Sequence, residues 1–290
     1  MQANSLPAAR GWYWFVGGLK LWQRSPGVIG LAAMLTFMLS GVVGSVPWIG
    51  SLLICLMGPF LDVFLLRVCH AVSLGRKPDP RELIAGFGAD ARGNARSRVV
   101  GLLILGSVTF VCLMLGKWLV ALIAGDAMAQ IKAASEAATA VMSGTAAPAA
   151  GAATNGSAPL ASGVAVAPVK LPFNVLAALL FNLIGISVLS IITWIAPALT
   201  AFADVPPVKS LVFSIVACWR NKAAFMVFGL SLACMSIPLS VLTIMGGIGQ
   251  MLMIMLLFGV LMPACFASNY LSLTDIFGPL PALRDPQNAN

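Results

Sequence analysis

Charge is what this chain lacks most. Of its 290 residues only 9% are Asp, Glu, Lys or Arg, against roughly 25% in an ordinary soluble domain, so a water-soluble globule is excluded. Histidine occurs once, as His70, and the six cysteines (Cys55, Cys69, Cys112, Cys218, Cys234, Cys265) stand at least fourteen residues apart. That spacing excludes a Cys/His zinc site, a CxxC redox pair and a disulfide framework. The cysteines are expected to be small buried hydrophobes. With nine acidic residues in all, no span or loop sets a nucleophile beside its base or pairs two carboxylates. The chain is therefore not expected to be an enzyme, and no metal or other cofactor is implied.

What is present is apolar: 60% of the residues are hydrophobic. A bilayer core of ~30 Å is crossed by about 20 predominantly apolar residues in helical form. Six stretches reach that length, approximately 26 to 46, 48 to 74, 99 to 124, 171 to 199, 223 to 244 and 248 to 274. Pro47 separates the first two and Gly246-Gly247 the last two, so each pair reads as a helical hairpin with an uncharged turn. The expected fold is all-α: a polytopic membrane protein, one membrane domain with six transmembrane helices.

The net charge of +8 is accounted for by where the cations fall. Lys117, Lys132 and Lys170 lie on one side of the six-span topology, and the other fourteen basic residues lie on the opposite side. Cytoplasmic loops collect Lys and Arg, so both termini are expected in the cytoplasm and nucleic-acid binding has no separate support. Arg10 is followed by Trp12, Tyr13 and Trp14 rather than by a short apolar core, so the N-terminus does not read as a cleaved signal. Residues 125 to 170 are mostly Ala, Gly, Ser, Thr, Pro and Val in their second half. Nothing there is large enough to offset the entropy of ordering, and a disordered external loop is expected. Residues 275 to 290 read as a cytoplasmic tail.

Two segments have helical periodicity with opposed arcs. In residues 10 to 24, Trp12, Phe15, Val16, Leu19 and Trp22 form an apolar arc opposite Arg10, Lys20 and Arg24. In residues 206 to 222, Val208, Leu211, Ile215, Cys218 and Trp219 oppose Lys209 and Arg220. Both are expected to be amphipathic helices lying in the membrane interface, with their cations toward anionic headgroups. Each precedes a hairpin, so elbow, span, span recurs at 10 to 74 and 206 to 274 as a parallel internal repeat. Asp79-Pro80-Arg81-Glu82 has the capping-box pattern and opens a third interfacial element ahead of span three, over 79 to 124.

Three segments carry a resemblance: LPAARGWYWFVGGLKLWQRSP near the N-terminus, DVPPVKSLVFSIVACWRN in the centre and ASNYLSLTDIF late in the chain. They resemble an uncharacterised family of bacterial inner-membrane proteins with six spans. More distantly, the layout is similar to the membrane domain attached to some glycerophosphoryl diester phosphodiesterases, whose catalytic domain has no counterpart here. The resemblance implies inner-membrane location and topology; it transfers no activity.

Asp62 is the one carboxylate inside a span. It stands fourteen residues from Trp48, about 21 Å down a helix, where an ionisable group is by default a candidate site. Asn182 in span four is placed at a suitable depth to be its polar partner. Arg67 and His70 read as a snorkelling pair at the inner end of the same span. The candidate lipid-headgroup contacts are Arg10, Lys20, Arg24, Lys209 and Arg220. Two functions compete, a lipid-linked or transport role and a membrane scaffold. A polar cavity at Asp62 between spans two, four and six favours the first, and a dry packed centre the second.

Overall fold

The structure, a computed structural model, describes residues 3–79, 83, 95–125, 173–242 and 246–278, and the regular elements among them are all helical. In chain order they are α1 (Arg10–Arg24), α2 (Pro26–Gly44), α3 (Gly50–Ser73), α4 (Ala95–Ala124), α5 (Phe173–Thr193), α6 (Ala196–Phe202), α7 (Pro207–Arg220), α8 (Lys222–Val241), α9 (Gly246–Leu256) and α10 (Met262–Phe277). A π-helical turn, Leu257–Leu261, joins α9 to α10. Among the described residues six stretches are long and apolar enough to cross a membrane: Pro26–Gly44, Gly50–Ser73, Arg98–Ile123, Leu176–Phe202, Lys222–Val241 and Gly246–Phe277. They coincide with the six expected spans to within a turn or so at each end. The expected external loop, most of the third interfacial element and the tail beyond Gly278 lie outside the described residues.

Two compact units are present. Cys112–Ser187 contains the end of α4 and most of α5, with Val120 and Ala178 as a small buried cluster. The other unit, Met1–Val111 with Val188–Asn290, holds the main core. Its fully buried side chains include Ile29, Val63, Leu65, Leu102, Leu199, Phe202, Leu273 and Ile276. These lie toward the helix ends that also carry Arg10, Arg98 and His70. At the opposite ends large apolar side chains such as Val42, Ile237, Met251 and Met255 are exposed. A bilayer removes the reason to bury them, because lipid tails are as apolar as a protein interior. The same reasoning corrects the expectation for cysteine: Cys55, Cys69 and Cys218 are buried, but Cys112 and Cys234 are exposed on their spans.

Local chemistry sets the boundaries. Pro26 and Pro207 occupy the first turns of α2 and α7, where a missing N–H costs nothing. The α3 terminus is closed by Gly75 at φ +71°, with Gly75 N–H donating to Val72 O and Arg76 N–H to Ala71 O, both at 3.0 Å. That is a Schellman cap.

The elbow helices pack differently from the hydropathy wheel. In α1 the buried residues are Gly11, Trp14, Phe15, Gly18 and Leu21, while Trp12 and Tyr13 are exposed. In α7 they are Ser210, Ser214, Ala217 and Cys218, and Val208, Ile215 and Trp219 point outward. Small residues are what permit close helix approach in a membrane, and hydropathy does not register it. Helix α1 lies mainly against α10 and α8. The backbone ahead of it is strapped down by buried Asn221, whose side-chain oxygen accepts from Leu6 N–H (2.8 Å) and whose amide donates to Asn4 O (2.9 Å).

Candidate functional site

The site is built around a broken helix. Span four stops at Thr193 and resumes at Ala196, a correction to the single continuous helix expected over 171 to 199. Pro197, in the first turn of α6, has no N–H to continue the ladder, so backbone groups are freed inside the apolar layer, where each must find a partner. Ser214 of α7 supplies two of these bonds: its hydroxyl donates to Ile191 O at 2.9 Å and accepts from Ile195 N–H at 3.3 Å. Asn269 of α10 supplies a third, its amide donating to Trp194 O at 3.3 Å. The serine stripe of α7 is thus the support of the break, and Thr200 extends it by donating to Ser210 Oγ at 2.9 Å.

Beside the break lies a cavity of about 150 Å³ lined by Asp62, Ser190, Thr193, Trp194, Cys265, Phe266 and Asn269. It falls between spans two, four and six. Asn269 is 8% exposed, and its side-chain oxygen is buried without a hydrogen-bond partner among the described residues. Asp62 stands halfway along α3, three residues after Pro59, and none of the described residues bonds to its carboxyl. Pro59 also cannot donate to the Cys55 carbonyl one turn back. Gly106 of α4 lies against that carbonyl, so close that a Cβ there would stand 2.5 Å from it.

A second cavity, of about 190 Å³, opens on the other side of the same carboxyl. Ala33, Thr36, Phe37 and Ser40 of α2, Gly58, Leu61 and Asp62 of α3, and Phe258, Met262 and Phe266 line it. Phe37 and Phe258 pack with centroids 4.0 Å apart. The Thr36 hydroxyl is buried with no partner among the described residues. Phe258 belongs to the π-helical turn, an insertion frequent at functional sites.

Asp62 therefore sits where the sequence placed it. Asn182 is half-buried on α5, in the other unit; the amide that lines a cavity together with Asp62 is Asn269. Of the elbow cations, Lys20, Arg24, Lys209 and Arg220 are exposed. Arg10 instead meets Asp275: Nε donates to Oδ2 at 2.7 Å and Nη2 to Oδ1, while Trp14 Nε1 adds a bond to Oδ2 at 2.9 Å. Arg67 and His70, on the last turns of α3, each meet side chains of other helices. The His70 Nδ1 stands 3.0 Å from Tyr270 OH, which also meets Ser73 Oγ at 3.0 Å, and the Arg67 guanidinium stacks 5.3 Å from the Phe202 ring centre. Buried Arg98 pairs with Asp204 at 2.7 Å. Among the described residues no three His, Cys, Asp or Glu side chains gather as metal ligands.

No family model matches the chain, and no solved structure does. A relative from Burkholderia thailandensis named "Probable inner membrane protein" is 30% identical over 285 residues, which cover 96% of this chain and 94% of that one. By an alignment of that extent, and with six apolar helices long enough to cross a membrane among its described residues, the chain belongs to the family of that inner membrane protein as an integral, multi-pass member.

Proposed function

We propose that the protein is a non-catalytic membrane transport protein whose working group is Asp62, and that this carboxyl exchanges a proton during the cycle. One observation carries the reading. A carboxyl with no bonding partner among the described residues lies between two cavities, next to an unsatisfied buried amide oxygen and a discontinuous helix. An ionised group in hydrocarbon needs a partner or water, and non-helical backbone at membrane depth is tolerated where it borders a cavity. A scaffold has use for neither.

A pH jump applied to proteoliposomes adsorbed on a solid-supported membrane tests the proposal. The wild-type chain is expected to give a transient charge displacement, and Asp62→Asn none. Equal transients from both would overturn it.

A second reading concerns the elbows as contacts for anionic lipid. The exposed Lys20, Arg24, Lys209 and Arg220 stand on helices that also turn Trp12 and Trp219 outward. Cations and tryptophan together suit an anionic headgroup layer, at ~1 kcal/mol per basic residue. Neutralising these four is expected to reduce the anionic lipid retained by the purified protein, measured by mass spectrometry, with Arg10 excluded because Asp275 engages it. Unchanged lipid content would remove the reading.

A further inference from the structure

We propose that the larger cavity binds a small organic cation, an ammonium carrying apolar substituents, with Asp62 as its counter-charge; this rests on the reading of Asp62 as the proton-exchanging group. The walls come from Phe37, Phe258 and Phe266, and the polar groups facing the space are the Asp62 carboxyl and the hydroxyls of Thr36 and Ser40. The Ser40 hydroxyl donates to Thr36 O at 2.9 Å, which leaves its lone pairs to accept. Thr36 Oγ1 has no partner among the described residues. Among the described residues no lysine, arginine or N–H side chain lines the cavity.

A lining of one carboxyl, hydroxyl oxygens and aromatic faces selects by charge and by surface together. An anion would face the Asp62 carboxylate with no cationic side chain in the described lining to offset the repulsion. A neutral hydrocarbon would fill the space but leave the carboxylate unpaired, at the desolvation cost of a buried charge. A bare metal ion would balance the charge but make no use of the phenyl walls. An alkylammonium satisfies both, because its charge meets the carboxylate while its substituents cover the ring faces in cation–π geometry. At about 190 Å³ the space is below the ~300–1,000 Å³ of drug-sized sites, which restricts the ligand to the size of a benzyltrimethylammonium ion.

The two cavities share Asp62, so proton and organic cation compete for one charge. Charge balance then fixes the exchange. When the ammonium binds the protonated carboxyl, the O–H bond breaks, the electron pair stays on oxygen to form the carboxylate that pairs with the ammonium, and one proton leaves to water. A quaternary ammonium has no proton to give or take, so any proton released comes from the protein.

The test uses the full chain in lipid nanodiscs with tritiated benzyltrimethylammonium. Saturable binding is expected, strengthened as pH rises, with proton release approaching one per cation bound in weakly buffered solution at the acidic end of the range, where the free carboxyl starts protonated, and falling toward zero at the alkaline end. Asp62→Asn should weaken binding about tenfold or more, and Phe37→Leu or Phe258→Leu, which keep a large apolar side chain but remove the ring face, by several-fold. Monodisperse elution of each variant establishes that it is folded. Neopentylbenzene, the uncharged carbon isostere, should not displace the probe. Absent saturable binding, unchanged binding in Asp62→Asn, or displacement by the isostere would overturn this inference while leaving the charge transient of Asp62 intact. Binding with no proton release at any pH, and with no dependence on pH, would overturn the proton reading and leave the cation site standing.

Discussion

Gly11→Ala and Gly18→Ala are each expected to destabilise the protein by about 3 kcal/mol or more, while Gly17→Ala, in the same helix, is expected to be close to neutral. The difference lies in what each added methyl group would meet. At Gly11 it overlaps the Ala224 carbonyl and comes within 2.8 Å of Phe228 N, both backbone atoms of α8. At Gly18 it overlaps the Ser268 hydroxyl and stands 2.6 Å from Ala264 O, backbone of α10. Backbone cannot rotate away, so α1 must lift off both helices. At Gly17 the obstacle is Leu271 Cδ1, the end of a flexible side chain that can change rotamer. Helix propensity acts the other way, since alanine is favoured over glycine by ~1 kcal/mol in a helix interior. A propensity-only account therefore predicts stabilisation at all three positions. Thermal unfolding in mild detergent, followed by the fraction that remains monodisperse, separates the two, and stabilisation at Gly11 or Gly18 would show that α1 does not lie against α8 and α10 as described.

This close packing also marks where the sequence was readable. Span positions follow from composition over about 20 residues, which no distant contact alters, and the structure keeps all six. Which face of α1 or α7 packs inward was not readable from hydropathy. Glycine and serine contribute little to an apolar arc, and in lipid the large side chains on that arc have no need to face protein. The break in span four had Pro197 as a local signal, but proline also starts helices. What makes the break tolerable is Ser214 and Asn269, 19 and 75 residues away in the chain from the groups they bond.

The candidate site shows the same division. Asp62 was legible because a lone carboxylate in an apolar run is rare. Its neighbouring amide was not, because Asn182 and Asn269 both stand in spans and depth along the helix is all that sequence offers. The structure sets Asn269 on the cavity. The motifs LPAARGWYW, ACWRN and SNYLSLTDIF were visible as unusual segments. Their role as one interlock, Asn221 on Leu6 and Asp275 on Arg10 and Trp14, appears only when the chain ends are brought together.

That interlock carries the second large effect. Asp275→Ala is expected to cost about 2–4 kcal/mol, and Arg10→Ala about 1 kcal/mol. The Arg10 side chain is 42% exposed, so solvent screens its share of the pair, and its loss leaves Trp14 still bonded to Asp275. Removing Asp275 costs more, because Trp14 is 2% exposed and its indole N–H is left buried without an acceptor. Three measurements separate the contributions. Asp275→Asn keeps an acceptor for the indole and should fall between the two alanine variants. In a Trp14→Phe background, which has no N–H to strand, Asp275→Ala should cost little more than Arg10→Ala. Added salt should shrink the Arg10→Ala effect and leave the indole share in place. Asp275 lies six residues beyond Asn269 on α10, about 9 Å along the helix, so loosening this end should also disturb the cavity that Asn269 lines. The Asp62 charge transient in Asp275→Ala is therefore expected to be smaller than in Arg10→Ala; equal stability and equal transients in the two variants would show that the carboxylate serves Arg10 alone.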